Sequence, residues 1–531
     1  MNAPLPESAD EQDAGIHSAF FRISDLPLKL LTSVLRYVLP LFDPVSWHWE
    51  YGDCNPYMRA LFSLRCVSTL WRDLIDGTPS FWTLISSTWS LEAILMVLHR
   101  SGTRPLIIHH LSPNHPEDIA EGEIAFWRGF YQLVNPHRSR WTACIAALPL
   151  ELASELFSAP LPRLNALKLN LTDEEALGQP SILLTPVIMD ILVNLEHVHF
   201  SGFLFRWNEV HSTFKRLKTL GLKLMRGNGI TTEQIINTIL QNPSLQNITI
   251  IYMEAKAKPM PVDFNPSPTA LPLLRVFRID GPLHLVETIL RHIQIPNDLD
   301  ELFISAIPCN SPAHSSLFWM KTLSPLLPAL QRMHMKKGGS RISFRESERC
   351  VWLAEGVNNS GFDLTIDGLR HTATLEWIAS IVKSWEYPED FPGFTCWTTS
   401  TLIGVPSAFH ALQTIQRITS IDILVDLENV DLSAFWKALG GATSRAATRP
   451  PAFPFLQYLR IRKWRFGLAR VIKLMKQRYA SGQQVGWRPH SNIRLDFNTH
   501  RPVWFEDRKR PQIIIHMDKV TELRELDGVD S

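Results

Sequence analysis

LFSLRCVSTLWRDLIDGTPSFWTLI, residues 61–85, reads as one amphipathic helix, a turn and an aromatic clasp. Leu61, Leu64, Val67, Leu70, Trp71 and Leu74 recur at helical spacing on one side, with Arg65, Ser68, Arg72 and Asp73 mostly on the other. Gly77, Thr78 and Pro79 stop the helix. Upstream, Leu26-Pro27-Leu28-Lys29-Leu30-Leu31 with Val34, Leu35 and Val38 predicts a second short apolar helix, opened by a proline near its start. A few short helices enclose little interior, so their outward apolar residues call for a partner.

Beyond the clasp, the spacing predicts a helix from Leu91 to Arg100, ending at Ser101-Gly102, and a first strand from Pro105. One motif then recurs, Leu-x-x-Leu-x-Leu with apolar swaps, and self-similarity of this kind outweighs local propensity. It starts at nine positions: Leu164-Leu167-Leu169, Leu195-Val198-Phe200, Leu217-Leu220-Leu222, Leu245-Ile248-Ile250, Leu274-Phe277-Ile279, Leu299-Leu302-Ile304, Leu330-Met333-Met335, Ile418-Ile421-Ile423 and Leu456-Leu459-Ile461. The early starts lie 22 to 31 residues apart, near the period at which each unit supplies a short strand and a returning helix. The last two residues of each motif alternate, as a half-buried strand requires.

Helices fill several gaps. Thr231-x-x-Gln234 predicts a capping box ahead of Ile235, Ile236, Ile239 and Leu240, closed by Asn242-Pro243, and Thr185-Pro186 opens an earlier helix. The interval from Met335 to Ile418 holds either a degenerate unit around Phe362-Leu364-Ile366 or an insertion, with Leu375, Ile378, Val382 and Trp385 at helical spacing within it. Gly440 to Pro451 reads as a loop, Val471 to Tyr479 as a last returning helix and Ile493-Leu495-Phe497 as a final strand.

The N-terminal pattern resembles an F-box. That family runs Leu-Pro-x-Glu-hydrophobic-hydrophobic, then Ile and Leu a turn later, and Val four residues ahead of Trp. Leu26, Pro27, Leu30, Leu31, Val34, Leu35, Val67 and Trp71 stand at those places. Lys29 replaces the usual acidic residue, and Pro40 to Met58 stand where a short link is usual. Thr78-Pro-Ser-Phe-Trp-Thr-Leu, followed by Arg100-Ser-Gly-Thr-Arg-Pro-Leu, is similar to the large group of fungal F-box proteins, many of which continue into divergent leucine-rich regions. The polar Asn or Cys that leucine-rich repeats carry three positions after the final Leu is absent from all nine units, which argues against regular backbone ladders.

The resemblance implies an α/β chain. A disordered acidic tail spans 1–22, a small helical F-box with its linker helix spans 23–100, and an irregular leucine-rich-repeat-like solenoid of short parallel strands and returning helices spans 101–500, before a tail at 501–531. Separate α/β domains are the other architecture open to these residues. Function follows as implied: a substrate-recognition adaptor of a Skp-cullin-F-box type ubiquitin ligase, with no catalytic residue, cofactor or metal of its own. Leu26, Pro27, Leu30, Leu35, Val67 and Trp71 would contact the Skp-type adaptor, and through it a cullin scaffold, or shape the surface that does. Two alternatives are an N-terminal cap packed on the repeats and a repeat-based interaction scaffold without ligase recruitment.

Between the buried leucines, the motif places Lys168, His199, Lys223, Arg278, Asp280, Phe303, His334, Lys336, Asp422, Arg460 and Arg462 on the open strand face. Lys168, Lys223, Arg278, His334, Lys336, Arg460 and Arg462 are the candidate target-binding residues, because clustered cations match the carboxylates or phosphates of an acidic segment. The plain alternative is a solvated strand face.

Composition narrows the rest. At 531 residues the chain is too long for one compact core, and 53 Lys and Arg against 52 Asp and Glu supply no global field for nucleic acid or an anionic membrane. Its six cysteines include no closely spaced pair, which fits a reducing compartment, cytoplasmic or nuclear. The first fifteen residues are acidic, unlike a signal or transit peptide, and Ile182 to Leu195 is too interrupted to span a membrane. No P-loop, dinucleotide fingerprint, HExxH, GxSxG or CxxC occurs, so enzymatic chemistry stands lowest. His48 with Cys54, His109-His110 and His197-Val198-His199 come nearest to metal ligands and read as structural, since no spacing completes a site.

Overall fold

The structure, a computed structural model, describes residues 26–39, 55–110, 121–171, 193–201, 214–224, 230–252, 268–307, 323–337, 340–345, 349–355, 361–366, 371–383, 385, 394–399, 405–415, 417–424, 435, 453, 456, 458–462 and 494–498. The expected tails at 1–22 and 501–531, the His48 and Cys54 loop, Thr185-Pro186, the loop from Gly440 to Pro451 and the helix from Val471 to Tyr479 lie outside the described residues. The chain divides into two compact units, one holding the described residues up to Ile145 and the other those from Ala146.

In the first unit, α1 is Leu28–Val38, α2 Asn55–Arg65 and α3 Thr69–Asp76. The stretch expected to form one helix from Leu61 to Leu74 is therefore two. Ser68 is extended (φ −162°, ψ 168°) and its hydroxyl accepts from the Trp71 amide at 3.2 Å, an N-cap that satisfies a donor a continuous helix would not have freed. Because α2 begins at Asn55, the inserted link from Pro40 to Met58 is helical at its end. Trp82 fills the clasp, fully buried, with its indole N–H donating to the Ile75 carbonyl at 2.9 Å. Asp76 then draws three segments together: Arg65 meets it through Nε at 2.7 Å and Nη2 at 2.8 Å, and Arg100 through Nη1 at 2.6 Å. The Arg100 guanidinium lies 4.5 Å from the Trp82 ring centroid, a cation–π contact.

From the clasp, β1 (Leu84–Ser86), α4 (Leu91–Arg100) and β2 (Leu106–His110) make a parallel β-α-β unit with Leu84 opposite Ile107. Parallel pairing thus starts one strand ahead of the strand read from Pro105. α5 (Glu121–Val134) and β3 (Trp141–Leu148), unassigned in the sequence, follow.

The second unit begins within β3, at Ala146, and continues with α6 (Leu150–Leu156), then β4 (Ala166–Leu171), β5 (His197–Ser201), β6 (Thr219–Leu224), α7 (Thr232–Leu240) and β7 (Asn247–Tyr252). Next come β8 (Thr269–Ala270), β9 (Val276–Pro282), α8 (Leu283–His292), β10 (Ile293–Gln294) and β11 (Glu301–Ile307). β4, β5, β6, β7, β9 and β11 pair in chain order, all parallel, while β8 and β10 form a separate short pair. Leu167, Val198, Leu220, Ile248, Phe277 and Leu302 stand in one cross-strand row, and each is buried. Six consecutive motifs are therefore six consecutive strands in constant register.

That register is set by backbone, without the missing Asn or Cys. The carbonyls of Asn165, Glu196, Lys218, Gln246 and Arg275 each accept from two successive N–H groups of the next strand, at 2.7 to 3.1 Å, so a regular ladder exists where the sequence argued against one. A tight turn precedes the strands. The amides of Leu164, Leu245, Leu274 and Leu456 donate to the carbonyls of Leu161, Asn242, Leu271 and Phe453, each at 3.1 Å. In the first three a proline occupies the second turn position, where its fixed φ favours the bend, and in the sequence Phe453 is likewise followed by proline. The predicted capping box forms: Thr231 Oγ1 accepts from the Gln234 amide at 3.2 Å, and Gln234 Oε1 from the Thr231 amide at 3.0 Å.

The seventh motif is a correction. Leu330-Met333-Met335 lies in α9 (Leu327–Lys337), not in a strand. LPALQRMHMKK is built from strong helix formers without a β-branched residue, with proline in the first turn where it is tolerated and Ala329 and Leu330 buried.

The interval after Met335 contains both readings. β12 (Ser340–Arg345) and β13 (Arg349–Glu355) run antiparallel, and β14 (Gly361–Ile366) returns to pair parallel with β11, with Phe362 opposite Leu302 and Leu364 opposite Ile304. β14 continues the array, and β12 and β13 are inserted beside it. α10 (His371–Lys383) buries Leu375, Ile378 and Val382 and packs on α11 (Pro406–Thr414). β15 (Phe394–Thr399), β16 (Ile418–Leu424), β17 (Tyr458–Arg462) and β18 (Arg494–Asn498) then pair parallel in order. Among the described residues no helix is long and apolar enough to cross a membrane.

Candidate functional site

The first candidate surface is on α1. Pro27 opens the helix, its carbonyl accepting from the Leu30 and Leu31 amides at 2.8 and 3.0 Å. Leu31 and Leu35 turn into the core at 1% exposure each. Leu30 (52%), Val34 (41%), Tyr37 (90%) and Val38 (54%) do not. Those four fall at i, i+4, i+7 and i+8, so α1 carries a second apolar stripe that the unit leaves in solvent. Leu28 and Val67, at 59% and 60%, are exposed as well.

Of the residues assigned to adaptor binding, Pro27, Leu30 and Val67 are exposed, Leu26 and Trp71 are half-buried, and Leu35 is buried, where it supports the helix from beneath. Val34, Tyr37 and Val38, exposed on the same stripe as Leu30, were not among the residues assigned to adaptor binding. The spacing from Leu30 was the available signal, masked because the same helix also carries the Leu31 and Leu35 stripe.

The second candidate surface is the sheet face opposite the buried leucines. Lys168, His199, Gly221, Thr249, Arg278 and Phe303 form one row across β4 to β11. The row is not open along its length: His199 and Thr249 are 4% and 5% exposed, and Lys168 is half-buried. Burial first, then the charges of Lys168 and Lys223, push His199 down to about 3, so it is a neutral imidazole between two cations.

Of the other predicted cations, Arg278 shares that row but is paired. Arg278 Nε donates to Glu301 Oε1 at 2.6 Å, which neutralises it within the sheet. Arg460 stands in register between Asp422 and Asp496, and Arg462 lies on the same strand, β17. His334 and Lys336, placed on the strand face by their motif, belong to α9 and leave that face. Glu196, also unforeseen, accepts from Lys218 Nζ at 2.6 Å and lies 3.4 Å from Arg216 Nη2; the bond to Lys218 does most to hold its carboxyl below the usual range.

The histidines proposed as structural are packed. His109 and His110 are both fully buried. His110 stacks on Tyr131 at 5.4 Å and meets Trp127 edge-on at 4.9 Å, and burial pushes its pKa down to about 3, with a smaller contribution from His109. Cys144 is buried nearby in the same unit, its thiol pushed up to about 12 by burial. Such a thiol is unreactive at neutral pH. His197 Nδ1 is 2.9 Å from Thr219 Oγ1. Among the described residues no group of three or more His, Cys, Asp or Glu side chains is arranged to hold a metal ion. Comparison with protein-family models and with curated proteins found no match to this chain.

Proposed function

We propose that this chain is the substrate-recognition adaptor of a Skp-cullin-F-box type ubiquitin ligase, its N-terminal helices docking on a Skp-type adaptor and its strand array, read as a divergent leucine-rich-repeat solenoid, binding a target protein. The exposed stripe of Leu30, Val34, Tyr37 and Val38 carries the reading. A helix that already buries one apolar stripe keeps a second in solvent at a hydrophobic cost unless another protein covers it. The in-register array supports the second half, since stacked repeats present an extended surface for a partner. The chemistry is proximity: the target's lysines are held near the ubiquitin-conjugating partner.

The test is the affinity of the full chain for a recombinant Skp-type adaptor, beside the Leu30→Ala, Tyr37→Ala double variant. Both side chains are solvent-facing, so the variant keeps its fold. Losing roughly 1 kcal/mol or more of apolar burial at each site predicts a tenfold or greater weakening. Equal affinity of the two folded proteins would remove the reading. The interaction scaffold without ligase recruitment, favoured by Lys29 in place of the family's acidic residue, predicts no adaptor binding by either.

A further inference from the structure

α1 contains Lys29 and Arg36 and no carboxylate. Over α1, α2 and α3 together, five Lys and Arg residues stand against two Asp. Asp76 is taken up internally by Arg65 and Arg100, which leaves Asp73 as the one exposed carboxylate on these helices. Lys29 and Arg72 are exposed, and neither has an ion-pair partner among the described residues. Arg36 donates to Ser80 Oγ at 3.0 Å, a neutral acceptor, and has no ion-pair partner among the described residues.

The placement of Lys29 matters as much as its sign. Lys29, Ser33 and Tyr37 follow one another at i, i+4 and i+8, so they run as a row along one flank of the apolar stripe. Anything that covers Leu30, Val34 and Tyr37 brings its own rim against that row. A basic rim would be repelled there, a neutral one would strip water from Lys29 without return, and an acidic one would be attracted. The F-box resemblance places an acidic residue at this position, so Lys29 reverses the sign at the edge of the docking stripe.

Building on the proposed adaptor docking, we infer that the partner of this helical face is a protein whose apolar groove is edged by carboxylates, one of them positioned to meet Lys29. Lys29 is then a specificity element: it favours an adaptor with an acidic rim and disfavours one whose rim is matched to a family member carrying a carboxylate there.

The experiment measures association rate and Kd of the full chain with a recombinant Skp-type adaptor whose groove rim carries carboxylates, at about 50 mM and about 500 mM NaCl, where screening lengths differ roughly threefold. Wild type, Lys29→Glu and the Leu30→Ala, Tyr37→Ala variant are compared. Lys29 is exposed and its side chain makes no hydrogen bond or ion pair among the described residues, and circular dichroism confirms the fold of each protein. The expected result is an association rate that falls with salt for wild type, and a Lys29→Glu variant about tenfold weaker at low salt, the difference shrinking to about twofold at high salt. Adaptor binding that Lys29→Glu leaves unchanged or strengthens, while the double alanine variant loses it, overturns the charge match and leaves the docking reading standing. No binding by folded wild type at either salt overturns both.

Discussion

Asn242 is the side chain whose removal tests how the strand array is held. It is fully buried and makes three hydrogen bonds: Oδ1 accepts from the Leu217 amide at 3.0 Å, and Nδ2 donates to the carbonyls of Phe214 and Thr238 at 2.9 and 2.8 Å. It thereby joins the end of α7 to the turn ahead of β6. Asn242→Ala leaves a backbone N–H and two carbonyls buried without these partners, and each such loss costs about 1 kcal/mol or more. The expected destabilisation is roughly 3 to 5 kcal/mol, measured as the loss of urea midpoint at constant slope. Faster hydrogen exchange at the Leu217 amide localises the effect. Asn242→Leu separates hydrogen bonding from packing, because Leu161 and Leu271 hold the equivalent turn position in other units. If Leu at 242 restored stability to within about 0.5 kcal/mol of wild type, apolar filling would suffice and the hydrogen-bond argument would be refuted.

Two further outcomes follow from ionisable groups held by their surroundings. His110 and His199 are held neutral at about 3 in the folded chain, whereas an unfolded histidine titrates near 6.5. Below pH 6.5 the unfolded state therefore binds more protons, and stability falls as pH falls, by roughly 2 kcal/mol per histidine at pH 5; His110→Phe should flatten that dependence in urea titrations at pH 7 and 5, and an unchanged slope would contradict it. Asp76→Asn removes the carboxylate that Arg65 and Arg100 share beside Trp82, and is expected to lower stability by about 2 kcal/mol with a change in tryptophan emission on the same titration; a loss under about 0.5 kcal/mol would mean the clasp rests on Trp82 alone.

The strands were legible where their signal was local. Eight of the nine motif starts lead into strands, because burial of alternate residues on a parallel sheet needs only a two-residue period and a preceding apolar anchor. The remaining one, the seventh, failed for the same reason. Leu330, Met333 and Met335 satisfy the spacing, but their neighbours favour a helix, and three apolar positions do not discriminate between the two periods. The break at Val67 was hidden too, since Ser68 sits where a helical wheel tolerates it and its role as a cap appears only once its backbone is extended. The proline turn was present in four units as Leu161-Pro, Asn242-Pro, Leu271-Pro and Phe453-Pro, an extension of the motif three residues upstream that the leucine spacing alone did not draw attention to.

By itself the sequence determined which residues face inward, because a side chain's hydrophobicity and its period along the backbone are properties of the local chain. It also carried the apolar excess of α1, in Leu30, Val34 and Val38 beside Leu31 and Leu35. Only tertiary structure decided what the other faces meet. Arg278 is neutralised by Glu301, a residue 23 positions away that register brings opposite its neighbour strand. His199, read as part of an open face, is buried between Lys168 and Lys223 on adjacent strands. Charge compensation and solvent access are set by contacts between distant segments, and no local periodicity encodes which segments those will be.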